Sequence, residues 1–322
     1  MHHAPTLADI EAAHARIAPH LHRTPILTSR LLDELSGAHL LFKCENFQRA
    51  GSFKARGAFN AILSLPEAQA RGGVATHSSG NHAAAVALAA RARGIAAHVV
   101  MPRTAPAVKK AAVAGYGARI LECEPTLAAR EAAVAEVVGE TGAAYIPPYD
   151  HPAVIAGQGS CFLELLADSG GRLDLVTCPV GGGGLLSGTA IAAGALAPEV
   201  AVVAAEPEAA DDAARGFLLG RRQPQVLPVA TIADGLTTSM SALTFGIMRE
   251  HADAVVIASE EAILEAMRLI WTRMKILVEP SSAVPLAAIL ERRFDVAGKR
   301  IAIILTGGNV DLDRLPWNPA TA

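Results

Sequence analysis

The chain has 322 residues, of which 51% are hydrophobic and 18% are charged, and its formal net charge is −3. Because positive charge is not in excess, neither nucleic acid nor an anionic membrane surface is an expected partner. The apolar runs are far shorter than the roughly 20 residues that span a bilayer, and the first residues lack a signal-peptide core, so we expect a soluble, cytoplasmic protein that binds a small molecule.

Nine short apolar runs predict β-strands, and alanine-rich stretches between them, such as residues 83–93, 153–167 and 260–275, have helical spacing. The runs are continuous rather than alternating, which is typical of parallel strands covered by helices on both faces. The sequence therefore predicts an α/β fold with mostly parallel sheets. The predicted strands are residues 40–45, 73–79, 96–102, 118–124, 143–148, 175–180, 200–207, 252–259 and 301–308.

The length allows two domains, and proline and glycine cluster at residues 65–73 and 145–152. We interpret these clusters as two crossings of the chain between lobes. The prediction is a large domain of residues 1–72 and 147–322, with a small domain of residues 73–146 inserted into it. The four cysteines form no CxxC pair, which disfavours a zinc site or a disulfide framework, so we expect reduced thiols in or near the core.

Lys54 lies in the segment "ENFQRAGSFKARGAFNA", residues 45–61. Ser52 is a plausible N-cap for the helical run that follows, which would place Lys54 near the positive end of the helix dipole. The charged amine is disfavoured there, so we expect a lowered pKa and a nucleophile that can form a Schiff base with an aldehyde. A lysine that merely extends along an exposed helix is the alternative.

A second loop, "SSGNH" at residues 78–82, stands between a predicted strand and a predicted helix. It offers two hydroxyls, an amide and the backbone N–H groups of a helix start, which suit a carboxylate or a ring oxygen. A helix capped by Ser78 or Ser79 is an alternative that is compatible with this function. His82 taken alone favours a structural role.

Four glycines, residues 181–184, come directly after an apolar strand and directly before a helical run. Such a loop lets the backbone approach a ligand and aims helix N–H groups at it, so we predict a phosphate site; a tight turn is the alternative. Glu206 follows the next strand, roughly where dinucleotide folds place a ribose-binding acid. The spacing GxGxxG is not met, however, and no Gly-Lys-Ser/Thr follows, so a smaller phosphate fits better.

Seven segments of the chain resemble, in the same order, the fold type II pyridoxal-phosphate enzymes, and specifically the serine racemases and threonine/serine dehydratases. The resemblance covers residues from about 15 to 315 and implies a two-lobed homodimer that carries pyridoxal phosphate. The segments are "NFQRAGSFKARGAFNA" (46–61), "SSGNHAAA" (78–85), "PAVIAGQGS" (152–160), "PVGGGGLLSG" (179–188), "TIADG" (231–235), "EPSSAV" (279–284) and "LTGGNVDL" (305–312).

The resemblance implies a set of cofactor contacts. Lys54 would carry the cofactor and remove the Cα proton of the substrate, and Phe53 would pack beside the ring. Asn81 would bind the ring hydroxyl, and Thr306 would face the ring nitrogen, where a neutral hydroxyl makes the ring a weaker electron sink than a carboxylate would. The residues expected at the phosphate are Gly181, Gly182, Gly183, Gly184 and Leu185.

The resemblance also implies substrate contacts, but it leaves the product open. Ser79 would be the acid/base on the face opposite Lys54, as in serine racemases, whereas "PPYDHPAVIAGQG" at residues 147–159 is more similar to the dehydratases. Two bases on two faces permit racemisation. The residues expected to contact substrate are Ser78, Ser79, Asn81, His82, Arg130 and Thr238.

The segment "AAEPEAADDAARG" resembles the divalent-cation site of serine racemases, with Glu206, Asp212 and the carbonyl of Ala210 as ligands. Oxygen ligands suit Mg²⁺ or Ca²⁺, and the resemblance reassigns Glu206 away from ribose. An acidic helix start is the alternative. After about residue 315 there is no room for the effector domain of biosynthetic threonine dehydratases, so we do not expect feedback control by isoleucine.

The leading hypothesis is a pyridoxal-phosphate dependent enzyme that dehydrates L-serine or L-threonine to a 2-oxo acid and ammonia, with some serine racemisation. Dehydration of 3-hydroxyaspartate is the alternative within the family, with Arg130 or a neighbouring cation meeting the extra carboxylate. A nucleotide (NAD)-binding oxidoreductase, or a catalytically silent binding protein, is the alternative from a different class.

Overall fold

The computed structural model describes residues 3–225 and 227–317 and has two β-sheets covered by helices. Each of the nine predicted runs contains a strand, which confirms the α/β class. One further strand, β1, has only two residues and was not predicted. The strands are β1 (Ile26–Leu27), β2 (His39–Cys44), β3 (Val74–His77), β4 (Ala97–Pro102), β5 (Arg119–Cys123), β6 (Ala144–Tyr145), β7 (Leu175–Pro179), β8 (Ala201–Pro207), β9 (Ala254–Ala258) and β10 (Arg300–Leu305).

The larger sheet has six strands in the order β1-β2-β10-β7-β8-β9, and only the β1–β2 pair is antiparallel. The last strand of the described residues, β10, therefore lies in the middle of the sheet, between β2 and β7. The smaller sheet has four parallel strands in the order β5-β4-β3-β6. All four belong to residues 74–145, in keeping with a small inserted domain at residues 73–146, although the domain boundaries themselves stay a prediction.

Thirteen α-helices lie within the described residues and pack against the sheets. The predicted helix at residues 260–275 is a ten-residue α-helix followed by a π-helical turn, Ile270–Met274, which ends at Lys275 with a φ of 61°. The α-helices are α1 (Leu7–Ile17), α2 (Arg30–Ser36), α3 (Lys54–Leu63), α4 (Glu67–Ala70), α5 (Asn81–Arg93), α6 (Ala107–Gly115), α7 (Leu127–Thr141), α8 (Pro152–Asp168), α9 (Gly184–Leu196), α10 (Asp212–Leu219), α11 (Ala242–His251), α12 (Glu260–Leu269) and α13 (Pro280–Leu290).

Two of these helices, α3 and α8, approach each other closely because glycines face each other at the contact. A Cβ at Gly157 would lie 2.5 Å from the carbonyl oxygen of Arg56, so a larger residue does not fit. A Cβ at Gly57 would overlap the side chain of Gln158. Helix α3 is thereby held against α8 directly after Lys54.

Four buried charged side chains, which we call the paired cluster, lie at this junction: Lys43, Glu45, Arg56 and Glu164. The Arg56 guanidinium donates to both oxygens of Glu45, each at 2.8 Å, and to Glu164 at 2.7 and 3.0 Å. The Lys43 ammonium donates to Glu164 at 2.8 Å. Two cations thus face two carboxylates, so the cluster is neutral as a whole.

The four cysteines are free and buried, as predicted. Within the part of the chain that the structure describes, no helix combines the length and the apolar character needed to cross a membrane.

Candidate active site

A cavity of about 1090 Å³ lies where loops from the two sheets and the start of α3 meet. It brings together every side chain and glycine that the sequence predicted to contact cofactor or substrate, although these are spread over more than 250 residues. They are Phe53, Lys54, Ser78, Ser79, Asn81, His82, Arg130, Gly181, Gly182, Gly183, Gly184, Leu185, Thr238 and Thr306. The residues expected to bind a metal ion do not line the cavity.

Lys54 is the first residue of α3, and its Nζ donates to the carbonyl of Pro148 at 2.8 Å. Burial lowers the pKa of Lys54 to about 8, while the negative charge of Glu279 opposes this shift. The predicted direction of the shift is confirmed, but the predicted cap is wrong. Phe53 holds the N-cap position without a side-chain bond. Ser52 pairs its backbone with Gly307, and its buried hydroxyl has no partner among the described residues.

The loop at residues 78–82 leads into α5, whose N-cap is Gly80, so neither serine is the helix cap. The Ser78 hydroxyl instead accepts the Gly80 N–H at 3.3 Å. His82 is buried, and burial followed by the charge of Lys54 lowers its pKa to about 3, so its ring is neutral. Its Nε2 lies 3.0 Å from the carbonyl of Ile146, which makes Nε2 the donor and leaves Nδ1 as a buried acceptor without a partner in the described chain.

Asn81 is held at both ends of its side-chain amide. Its Nδ2 donates to the two oxygens of Glu279 at 2.8 and 3.0 Å, and its Oδ1 accepts from the side chain of Asn309 at 2.8 Å. Burial, reinforced by the charge of Asp234, raises the pKa of Glu279 to about 7. Any contact of Asn81 with a ring hydroxyl therefore has to use the second lone pair of its oxygen or replace one of these bonds.

The glycine loop connects β7 to α9, and Gly183 is the N-cap of α9 with a φ of 86°. The first N–H groups of α9 therefore point out of the helix at the cavity, where an anion could accept from them. The loop is also tightly packed. A Cβ at Gly182 would overlap the ring of Tyr149, whose hydroxyl donates to the carbonyl of Ser239 at 3.1 Å.

Thr306 directly follows β10, and its hydroxyl oxygen lies 3.0 Å from that of Ser282. Its carbonyl accepts the N–H of Phe53 at 2.9 Å, so the end of β10 is bound to the residue that precedes Lys54. The cavity residues Thr306 and Lys54 are thereby held in fixed positions relative to each other.

Arg130 belongs to α7, on the side of the cavity formed by the smaller sheet, and its Nε donates to the carbonyl of Thr126 at 3.4 Å. His77 stacks on Tyr145, with ring centroids 5.9 Å apart. Burial and the nearby positive charge of Arg130 lower the pKa of His77. Arg130, His77 and Tyr145 all line the cavity and form a polar corner on this side.

An ion pair in the wall of the cavity links helix α6 to the turn at Asp234. Lys109 of α6 donates to Asp234 at 2.5 Å, and the side chains are 23% and 57% exposed. A Cβ at Gly80 would lie 4.0 Å from the Lys109 ammonium, so this pair borders the serine loop.

The predicted metal ligands lie at the start of α10, outside the cavity. Glu206 is buried and accepts the N–H groups of Ala213 and Ala214 at 3.1 and 2.9 Å. Burial raises the pKa of Glu206, with Asp212 adding to the shift, and burial raises the pKa of Asp212 to about 6. In residues 3–225 and 227–317, no group of three His, Cys, Asp or Glu side chains is placed to hold a metal ion.

Glu279 and Tyr149 are among the cavity residues to which sequence reasoning gave no role. Glu279 stands in the quoted segment "EPSSAV", between Val278 and Pro280, and an acid next to apolar residues is a signal that could have found it. Tyr149 carries no such signal, because its place depends on packing against a glycine 33 positions later in the chain.

Comparison with known proteins identifies the family. A family model described as "Pyridoxal-phosphate dependent enzyme" matches residues 17–307. A curated relative, the beta-hydroxyaspartate dehydratase of Paracoccus denitrificans (strain Pd 1222), is 54% identical over 314 residues, which are 98% of this chain and 99% of that protein.

Solved structures agree with this result. The structure of maize serine racemase matches with a TM-score of 0.94 and 45% identity, covering 97% of this chain and 95% of that one. The processed form of threonine deaminase isoform 2 from Solanum lycopersicum matches with a TM-score of 0.90 and 30% identity, covering 97% and 89%. The chain therefore belongs to the pyridoxal-phosphate dependent enzymes of fold type II, in the group that includes serine racemases and threonine deaminases.

Proposed function

We propose that the protein dehydrates a small β-hydroxy-α-amino acid to a 2-oxo acid and ammonia, and that 3-hydroxyaspartate is its preferred substrate, ahead of L-serine and L-threonine. The observation that carries the reaction class is an amine with a pKa of about 8, that of Lys54, in the wall of a cavity that also contains a glycine loop at a helix start. The 54% identity to the beta-hydroxyaspartate dehydratase supports the substrate. This order of substrates reverses the one favoured by sequence alone.

The residues around the cavity fit pyridoxal phosphate. Lys54 is partly neutral near pH 8, as attack on an aldehyde requires. The N–H groups at the start of α9 suit a phosphate, and the Thr306 hydroxyl offers a neutral partner for a ring nitrogen. When bound, the cofactor supplies an electron sink that stabilises negative charge at the substrate Cα. No observation now favours an NAD-binding oxidoreductase.

Side chains of the protein then transfer the protons of the reaction. Lys54 takes the Cα proton, because its amine is neutral in part at neutral pH and its position is fixed by the contact of α3 with α8. The bond between Cβ and its hydroxyl oxygen then breaks, and the electron pair left at Cα forms the Cα–Cβ double bond. The proton taken from Cα and the released hydroxide together account for the water that is lost. The unsaturated amine that leaves the site reacts with water to give the 2-oxo acid and ammonia.

Arg130 is our candidate for binding the second carboxylate of 3-hydroxyaspartate. Among the described residues it forms no ion pair, and its Nε bond to a backbone carbonyl at 3.4 Å is long. Its terminal nitrogens are therefore available to a carboxylate in the cavity, beside His77 and Tyr145. L-serine lacks that carboxylate and needs only the groups that bind the α-carboxylate.

A substrate panel on the wild type and on Arg130→Ala tests this proposal. We expect the wild type to prefer 3-hydroxyaspartate, and Arg130→Ala to lose about 10- to 100-fold in kcat/KM for it, since a hydrogen bond to a charged group contributes about 1.5–3 kcal/mol. L-serine dehydration should stay within about threefold, a difference below 1 kcal/mol. Arg103→Ala is the matched control, because Arg103 pairs with Glu124 on the surface.

Two results would contradict the substrate assignment. A wild-type preference for L-serine removes 3-hydroxyaspartate as the main substrate. An equal loss for both substrates in Arg130→Ala means that Arg130 binds the α-carboxylate that they share.

Serine racemisation is a second activity that one observation favours. Ser79 lines the same cavity as Lys54, and its hydroxyl has no hydrogen-bonding partner within the described residues, so it is free to exchange a proton with substrate. Elimination needs one base, whereas inversion at Cα needs a proton delivered on the other face.

We therefore expect Ser79→Ala to remove nearly all D-serine formation and to spare L-serine dehydration to within about tenfold, or roughly 1.4 kcal/mol. Dehydration of D-serine should fall with racemisation, because D-serine presents its proton to the Ser79 side. Chiral analysis of the product and a keto-acid assay on the same samples measure both. Persistent D-serine formation in the variant would assign Ser79 a binding role only.

We also propose that Glu206, Asp212 and the carbonyl of Ala210 bind Mg²⁺ or Ca²⁺. The support is electrostatic: two buried carboxylates with raised pKa values lie together at the start of α10 without a basic side chain bonded to either. A hard divalent cation with further water ligands would neutralise both.

A further inference from the structure

A second hydroxyl, that of Ser282, lies behind Thr306. Ser282 is the third residue of α13 and is fully buried, with none of its surface exposed. Thr306 lines the cavity and Ser282 does not. Because the two hydroxyl oxygens are 3.0 Å apart, Ser282 can act on a molecule in the cavity through a hydrogen bond relayed by Thr306.

The backbone of Gly307 determines what the Ser282 hydroxyl is free to do. The Gly307 N–H donates to Ser282 Oγ at 2.8 Å, so one lone pair of that oxygen is always used. The Gly307 carbonyl lies 2.8 Å from the same oxygen, but it also accepts the N–H of Glu279 at 3.0 Å. This carbonyl therefore still accepts the hydrogen bond from the Glu279 N–H when the Ser282 hydroxyl donates to another group.

Two arrangements of protons satisfy this network, because a hydroxyl has one proton and two lone pairs. In the first, Ser282 donates to the Gly307 carbonyl and Thr306 donates to Ser282, so that Thr306 shows only lone pairs to the cavity. In the second, Ser282 donates to Thr306, and Thr306 donates its own proton into the cavity. Neither arrangement leaves a buried backbone group of Gly307 without a partner.

We propose that Ser282 is a positioning residue that donates to Thr306, so that Thr306 donates to the ring nitrogen of bound pyridoxal phosphate; this inference rests on the proposed function. An aromatic nitrogen without a proton can only accept, and it is matched by the second arrangement alone. Each hydroxyl in such a chain polarises the next one and strengthens its bond. Ser282 thereby increases the electron-withdrawing character of the ring without transferring a proton to it.

The alternative is that Ser282 merely holds the Gly307 backbone. Nuclear magnetic resonance of cofactor labelled with ¹⁵N in its ring separates the two, because the resonance of a pyridine nitrogen moves with the strength of the hydrogen bond it accepts. The holoenzymes to compare are the wild type, Thr306→Val, Ser282→Ala and Ser281→Ala. Ser281 is the matched control, since its hydroxyl accepts the Gly235 N–H at 3.0 Å and not a bond from Thr306.

We expect Thr306→Val to move the nitrogen resonance fully to the value of an unbonded ring nitrogen. Ser282→Ala should move it in the same direction by about 10–30% of that change, the range for cooperative strengthening of one bond by another. Ser281→Ala should leave it unchanged. If Ser282→Ala does not fold, Ser282→Cys keeps a weaker donor at the same place, and its resonance should move in the same direction.

Each failure has its own signature. Wild-type protein that takes up no cofactor, judged by its visible absorption, overturns the proposed function and this inference with it. Cofactor uptake with an unchanged resonance in Thr306→Val means that Thr306 does not meet the ring nitrogen, and the inference is wrong. If the nitrogen resonance moves in Thr306→Val but not in the Ser282 variants, the inference is wrong. An equal movement of the resonance in Ser281→Ala also overturns it. Either result leaves the proposed function standing.

Discussion

Lys54 and Arg56 lie two residues apart at the start of helix α3, and the ionisable groups around them compensate charge in different ways. Arg56 belongs to the paired cluster, where each cation donates to a carboxylate. Lys54 faces the cavity, where its Nζ donates to a backbone carbonyl, and the Glu279 carboxylate accepts from a neutral amide.

The pKa values follow from this difference. In the paired cluster, burial works against charge, but the Arg56 and Lys43 partners lower the pKa of Glu164 to about 2. In the cavity, burial moves both groups towards neutrality, to a pKa of about 8 for Lys54 and about 7 for Glu279. Pairing keeps ions charged and inert, whereas burial without a close partner makes groups that exchange protons near neutral pH.

The largest effect that we expect is on turnover in Lys54→Met. Removal of the amine should lower kcat by at least roughly 10²–10⁴-fold, the usual contribution of a positioned proton-transfer group, and should abolish the visible band of covalently attached cofactor. Lys110→Met is the control, because Lys110 pairs with Glu122 on the surface. Retention of both band and turnover in Lys54→Met would show that the cavity lysine is not the reactive one.

A substitution in the paired cluster should lower the stability of the protein. Arg56→Met leaves Glu45 and Glu164 buried without their main partner, so we expect a loss of about 3–5 kcal/mol in the free energy of unfolding of the cofactor-free protein. Lys54→Met removes an ammonium that burial disfavours, and its free energy of unfolding should change by less than about 1 kcal/mol. Urea titration of both variants measures this contrast, and equal losses would mean that the two environments do not differ as described.

Glu206 and Asp212, at the start of α10, give the third and smallest effect that we expect, a change in stability when a cation is removed. If Glu206 and Asp212 bind a divalent cation, removal of that cation by a chelator should cost about 2.7 kcal/mol of stability at a cation concentration 100 times the dissociation constant. Added Mg²⁺ or Ca²⁺ should restore it. In Asp212→Asn the chelator should have little effect on the melting temperature, and a wild type that melts equally with and without chelator has no metal site here.

Much of the fold and of the cavity could be predicted from sequence, because the informative signals are local. Parallel strands such as β7 and β10 are buried on both faces and therefore read as continuous apolar runs. Lys54 and the four glycines each stand at the junction of a predicted element and a loop. Loops at the same ends of parallel strands meet, which explains why such distant residues line one cavity.

The remaining features depend on contacts between distant residues. Strand β1 has two residues and is defined only by its pairing with β2. Ser52 has the composition of a helix cap, but its backbone is pulled into a bridge with Gly307, 255 positions away. Glu279 acquires its raised pKa from burial and from Asp234, which no local pattern reveals.

The central place of β10 has a consequence for how the chain folds during synthesis. The four strands of the smaller sheet have all left the ribosome once Tyr145 has emerged, so that sheet can form early. The larger sheet cannot close before Leu305 emerges, and until then the facing edges of β2 and β7 are unpaired. Exposed strand edges can pair with other chains, so we expect the growing chain to depend on chaperones at this stage of translation.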